Sequence, residues 1–404
     1  MSRWKEGLRA TVILCFWANV LAALVRINIS IAAPLMIRSF GWDDAQMGVV
    51  FSSFFLGYVL FMIPGGVLAD RFGARRVLAW GVGLWSAFSM VTAGCSTIGP
   101  LLVLRFLTGA CQAVNFPCMN NLIATQVPLE DRAKVQGFVL SGMMLSSVIG
   151  LPTGSWIVKA WGWPAIFLAF GGAGAPWLWA WLRRAPPGDS VSHPALRPAK
   201  PPIPWRVFFT HRSTLGLTLS YFSHNYASYF LLSWLPTYLI QARGFSVSAM
   251  GFAAALPALA SLVSMNASGW VSDHLVQSGA SRQFARKLLL CGGMAGSGLF
   301  LLTLLWLSNP YAAVVAIVLS GASRSLATPA YWTLSMDMAP RHAGILSSIM
   351  NTSGNLAGVV APAVTGFLLS STGSWTVPIA AAALISVTGA LVALPTVRAD
   401  EVAP

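Results

Sequence analysis

Hydrophobic residues along this 404-residue chain come in long blocks, and the charged and turn-forming positions gather in the short intervals between them. A block of about 20 apolar residues, rising roughly 1.5 Å per residue as a helix, crosses the hydrocarbon core of a bilayer. Twelve such spans are predicted, each bounded by charges, Pro, Gly or Trp. They cover 10–36, 46–69, 77–95, 100–125, 135–158 and 165–182 in the first half. The second half has 214–240, 247–271, 288–308, 311–336, 343–370 and 377–397. The expected fold class is therefore an all-α integral membrane protein with 12 transmembrane helices.

The spans repeat. Gly41, Met47, Gly48, Gly66 and Asp70 recur 203 residues later as Gly244, Met250, Gly251, Gly269 and Asp273. Gly109, Pro117, Pro128, Gly154 and Trp163 recur 212 residues later as Gly321, Pro329, Pro340, Gly366 and Trp375. Parallel six-helix repeats imply two pseudo-symmetric bundles. The expected domains are 1–183, a six-helix bundle; 184–206, a Pro-rich and polar linker ending in an interfacial segment; and 207–404, the second bundle.

Composition agrees: 56% of residues are hydrophobic and 9% charged, against about 25% charged in soluble proteins. The net charge of +14 would suggest nucleic acid in a soluble chain. Its distribution explains it otherwise. Of the 25 Lys and Arg residues, only Arg38, Lys159 and Arg243 fall in the loops expected outside, and Arg26, Arg105 and Arg324 fall within spans. The rest lie on the side of the termini, so both termini and the linker are expected in the cytoplasm, with the lipid bilayer as partner and no nucleic acid. Met1–Leu24 imitates a secretion signal, but the apolar run continues to about Ile37 and is kept as the first span. The five cysteines have no metal-ligand spacing and read as buried hydrophobes.

Arg324 lies near the middle of its span. A charge there costs from about 3 to more than about 10 kcal/mol. The 11 carboxylates all lie in loops, termini or span ends, and Asp337, 13 residues on, is about 20 Å along the helix. No acid from mid-span can neutralise Arg26 or Arg324. The economical partner is a transported anion, and two arginines from opposite halves could clamp it with planar forks suited to carboxylate or phosphate. The bland alternative is a structural arginine bonded to carbonyls. His224 is the one histidine away from loops and span ends, and a candidate for anion binding or for carrying a co-transported proton.

The segment Gly66-Val-Leu-Ala-Asp70-Arg71-Phe-Gly73-Ala-Arg75-Arg76, between spans two and three, resembles the signature loop of the major facilitator superfamily. That resemblance implies the two-bundle fold and a conformational latch, assigning Gly66, Asp70, Arg71, Arg75, Arg76 and Asp273 to gating. The arginines could instead only set topology. The stretches Phe51–Tyr58, Ile63–Gly66, Tyr229–Tyr238, Asn351–Gly358 and Thr372–Trp375 are similar to the anion:cation symporter family within it, whose members carry sugar acids, sialic acid or glutamate.

The resemblance implies that Arg26 binds the substrate carboxylate, although Val25 stands where an aspartate is common. Arg105 is the superfamily's span-four arginine, with a structural or a coupling role. Gln112, the repeat counterpart of Arg324, stands where many proton-coupled relatives carry a glutamate. Vesicular relatives place a substrate-binding arginine near His224. Tyr58, Trp332 and Asn351 match substrate contacts of sugar-acid transporters, and Tyr331 completes the lining.

The expected function is transport of a small organic anion by alternating access, in a bacterial inner membrane, without cofactor or metal. No nucleophile–base pair or phosphate-cradling loop suggests an enzyme. A transporter-like anion sensor, an exporter of amphipathic compounds and an inorganic-anion exchanger remain alternatives.

Overall fold

A computed structural model describes residues 6–184 and 205–398, so most of the expected linker lies outside the described residues. Among these residues the first repeat contains α1 (Glu6–Phe40), α2 (Asp44–Phe72), α3 (Ala74–Thr92), α4 (Ile98–Gln112), α5 (Asn115–Gln126), α6 (Arg132–Trp161), α7 (Trp163–Gly172) and α8 (Gly174–Arg184). The second contains α9 (Trp205–Thr210), α10 (Arg212–Gln241), α11 (Val247–Gln277), α12 (Arg282–Thr303), α13 (Pro310–Met338), α14 (Ala343–Thr372) and α15 (Thr376–Thr396). No strand occurs among them.

Among the described residues, ten helical segments are long and apolar enough to cross a membrane, with α4–α5 and α7–α8 each counting as one. The other two expected spans are α3 and α10, of 19 and 30 residues. Arg75 and Arg76 open α3, and α10 carries His224, Asn225 and a series of Ser and Tyr residues. Those polar groups dilute apolarity without shortening the helix.

Helix starts follow from local chemistry. Asp43 caps α2 by accepting from Gln46 N at 2.6 Å, while Gln46 Oε1 accepts from Asp43 N at 3.1 Å, a reciprocal capping box. Asn309 caps α13 ahead of Pro310, and Ser281 caps α12. The turn between α2 and α3 is made by Gly73, at φ 86, a conformation that favours glycine. Gly66 lies inside α2, where an added Cβ would sit 4.0 Å from Pro117 Cβ of α5.

The repeat is visible in the helix bounds. Ile98–Gln126 and Pro310–Met338 are both 29 residues long, offset by 212 at each end. Pro117 has no N–H for the carbonyl four residues back, and α4 gives way to α5 at Ala113–Val114. Pro329 occupies the equivalent place, yet α13 runs through it. The neighbours differ: Val114 is gripped by Gly65 and Gly81, whereas its counterpart Leu326 gives its carbonyl to the Ser268 hydroxyl at 2.6 Å.

The chain divides into two compact units, Met1–Ala199 with Phe245–Phe252 and Lys200–Gly244 with Ala253–Pro404. In the first, α2 and α4 approach to backbone contact: a Cβ on Gly57 would meet Phe106 O, and one on Gly109 would meet Phe54 O. In the second, hydroxyl groups bridge helices, with Ser261 Oγ donating to Gly321 O at 3.2 Å and Ser297 and Ser320 hydroxyls 3.0 Å apart.

Candidate functional site

In the first unit, Arg26 of α1 lies with its guanidinium carbon 5.3 Å from the ring centres of both Phe54 and Tyr58 on α2. Gln112, at the end of α4, donates Nε2 to Ala22 O at 3.0 Å, which turns Oε1 toward Arg26 Nη2 at 3.5 Å. Arg105 donates Nη1 to Val25 O at 3.4 Å and lies 5.0 Å from the same Phe54 ring. Arg105 therefore holds the backbone just before Arg26. The structure brings Arg26, Tyr58, Arg105 and Gln112 together. Phe54 joins them although the sequence marked it only as one aromatic in a motif; the sole available signal was its i, i+4 spacing to Tyr58.

In the second unit, Arg324 Nη1 lies 3.3 Å from His224 Nε2, across α13 and α10. A guanidinium can only donate, so that ring nitrogen accepts and the proton of the neutral ring sits on Nδ1. Thr328 Oγ1, one turn beyond Arg324, is 3.4 Å from the same nitrogen. The His224 ring stacks on Tyr221 at 5.7 Å and meets Tyr331 edge-on at 5.1 Å. Tyr331 is wholly buried and its hydroxyl is 2.6 Å from Ser220 Oγ. Trp332 packs on Tyr221 at 6.3 Å.

Asn351 belongs to an adjoining chain of amides: Tyr229 OH donates to Asn355 Oδ1 at 3.1 Å, and Asn355 Nδ2 donates to Asn351 O at 2.9 Å. Gly354 lets α14 approach, since a Cβ there would lie 2.6 Å from the Tyr221 ring. Thr328 and Asn355 escaped the sequence reading, being ordinary polar residues in helices.

The arginines differ in how their donors are used. Arg243 gives Nε to Tyr238 OH at 2.6 Å, Nη1 to Leu307 O at 2.6 Å and Nη2 to Leu304 O at 3.0 Å. That is a structural arginine closing the end of α12. By contrast, Nε of Arg26 and of Arg324 is buried without a hydrogen-bond partner, a feature they share with Arg9, Arg75 and Arg105. What sets Arg324 apart is that its hydrogen bond goes to a histidine ring and not to a backbone carbonyl. Among the described residues an ion pair joins Arg286 and Asp337, which engages Asp337 away from Arg324.

A family model described as Major Facilitator Superfamily matches residues 15–362 and 278–404. The chain belongs to the major facilitator superfamily. It is 36% identical over 390 residues to the sodium-dependent phosphate transport protein 1, chloroplastic, of Arabidopsis thaliana, covering 92% of this chain and 76% of that protein. It is 31% identical over 394 residues to the probable sulfoacetate transporter of Cupriavidus necator, covering 93% and 90%. Among solved structures, a bacterial homolog of the human lysosomal transporter Spinster, inward-facing and occupied, superposes with TM-score 0.80. That likeness, at 17% identity over 97% of this chain and 95% of the other, shows the fold.

This superfamily transporter also carries the loop expected to gate. Asp70 accepts from Asn121 Nδ2 of α5 at 3.1 Å, which ties the end of α2 to α5. Arg71 lies over Phe72 at 5.5 Å. Arg75 donates Nη2 to Leu182 O at 3.3 Å, tying α3 to α8. Arg76 and Asp273 are exposed.

Proposed function

We propose that the transporter carries a small organic anion by alternating access, and that Arg26 and Arg324 each bind the anion's charge. The observation carrying this reading is the unused donor edge of Arg324: one nitrogen meets His224, while Nε is buried and unpartnered. A guanidinium with a buried, unpartnered donor and no acid beside it among the described residues favours an anion supplied from solution. The names of the relatives support an anionic cargo, one being a phosphate transport protein and the other a probable transporter of sulfoacetate, an organic anion. Tyr58, Tyr331, Trp332 and Asn351 line the anion's path, and Asp70, Arg71, Arg75, Arg76, Gly66 and Asp273 serve gating. The excess of Lys and Arg on the side of the termini supports cytoplasmic termini, and the bacterial relative supports a bacterial inner membrane.

The test is counterflow in proteoliposomes over sugar acids, dicarboxylates, sulfonates and phosphate, with and without a pH gradient. Saturable exchange of an organic anion is expected. Binding without flux would instead identify a sensor. In the same assay, His224→Gln is expected to keep both counterflow and any pH-driven accumulation, because Gln can still accept from Arg324. If accumulation disappears while counterflow survives, His224 carries the proton.

Gln112→Glu gives a test with a definite sign. A carboxylate at the Gln112 position would neutralise Arg26 and occupy its donors, so transport at neutral pH is expected to fall about tenfold, a charge-assisted bond being worth roughly 1.5 kcal/mol or more. Protonating the acid frees Arg26, so activity should return only as pH falls below the ordinary glutamate value of about 4, because pairing with the arginine favours the charged form. A variant equally active at both pH values would show that Gln112 does not face the anion.

A further inference from the structure

We propose that the arginine-bearing end of the α3–α8 seam in the first unit binds an anionic phospholipid, with Arg76 and Arg183 holding its phosphate and Trp80 and Trp179 flanking its chains. The proposal rests on the chain crossing the membrane and is independent of the substrate.

Contacts along the seam run in opposite directions on the two partners, so α3 and the α7–α8 arm are antiparallel. A Cβ on Gly83 would lie 3.8 Å from Leu178, and one on Gly174 would meet Ser86. At the arginine-bearing end, Arg75 Nη2 donates to Leu182 O at 3.3 Å and Trp181 Nε1 donates to Arg75 O at 3.1 Å.

The indoles of α8 divide by face. Trp177 and Trp181 stack at 5.0 Å on the buried side, and Trp177 Nε1 donates to Leu14 O at 2.8 Å. Trp179 points the other way, 54% exposed, and Trp80 of α3 is 59% exposed. At about 100° per residue from the Gly83–Leu178 contact, Arg76, Trp80 and Leu84 on one helix and Trp179, Leu182 and Arg183 on the other fall on the same side of the seam. At roughly 1.5 Å per residue, the two tryptophans lie within about 5 Å of that contact and the two arginines about 8 to 10 Å from it. Aromatics sit deeper and cations nearer water.

That order fits a lipid. Tryptophan prefers the interface, and the guanidinium of Arg183 is placed 4.4 Å from the Trp179 ring centre. Arginine forks match phosphate oxygens, and basic residues at span ends recruit anionic headgroups. The apolar floor is continuous with the outer faces of α3, an expected span, and of the membrane-crossing α7–α8 segment, which favours a lipid over a protein segment.

The test is native mass spectrometry of the delipidated full-length protein, titrated separately with phosphatidylglycerol and phosphatidylcholine of the same chain length. Wild type is expected to prefer phosphatidylglycerol by about 25-fold, each arginine contributing about fivefold. Arg76→Gln with Arg183→Gln should abolish the preference, and Arg183→Gln alone, the fallback if the double variant is not recovered folded, should cut it about fivefold. Trp179→Leu keeps both charges and should weaken both lipids severalfold while leaving the preference. Equal binding of the two lipids by wild type, or a preference that survives Arg183→Gln unchanged, overturns the proposal.

Discussion

Replacing Arg324 by glutamine is expected to lower anion counterflow at least about thirtyfold while leaving the protein folded. Losing a buried charge pair with a ligand costs about 2–5 kcal/mol, which is roughly 30-fold to several thousandfold. Folding should survive because the substitution abandons no buried acid: Asp337 is paired with Arg286, and the described residues place none beside Arg324. His224 Nε2 would keep Thr328 Oγ1, at 3.4 Å, as a donor. The checks are initial counterflow rates per folded molecule and a thermal melt. Arg243→Gln is the comparator. It strips three bonds from Tyr238, Leu304 and Leu307, so it should lower the melting temperature and spare transport per folded molecule. Wild-type flux of every anion by Arg324→Gln would end the binding role proposed for that residue.

Gly109→Val is expected to be the most disruptive single change in the first unit. A Cβ at that position would lie 2.8 Å from Phe54 C and 3.1 Å from Tyr58 N. These are backbone atoms, so no rotamer change relieves the clash, and overpacking of this kind costs about 1–3 kcal/mol or more. If the helices do separate, Phe54 and Tyr58 move away from Arg26 and Arg105, so transport should fall further than stability does. Size-exclusion recovery in detergent should drop severalfold, with the residual folded fraction nearly inactive. Recovery and transport both matching wild type would show that α2 and α4 are not in backbone contact there.

Much of the architecture was legible in one dimension. The need to satisfy every backbone hydrogen bond inside lipid makes each long apolar block a helix, and the observed helices match the twelve expected spans within a few residues, apart from the end of α11 and both ends of α12. The constant offset of 212 from Ile98–Gln126 to Pro310–Met338 followed from matched glycines and prolines. The isolation of Arg26 and Arg324 from acids followed from an inventory of carboxylates.

Other features depended on which helix faces meet. The sequence picked out His224 and Arg324 separately, but only α10 packing near α13 put Nε2 at 3.3 Å from Nη1. Nothing in the spacing announced that Arg26 and Arg105 share the Phe54 ring. The turn of the gating loop falls at Gly73, because α2 continues through Gly66 to Phe72. Pro117 and Pro329 are equivalent in sequence, yet only the first accompanies a helix break, since Gly65 and Gly81 close on Val114 while Ser268 reaches Leu326.

The sequence by itself thus determined the membrane-spanning helices, their twofold repeat and the buried positive charges. Each depends on composition within one segment or on matching segments at a constant offset. Tertiary structure decided the partners of those charges and the chemistry of each helix contact. Between helices in a bilayer, association rests on close packing and a few polar bonds instead of on burying apolar area, and that complementarity exists only once the faces are brought together.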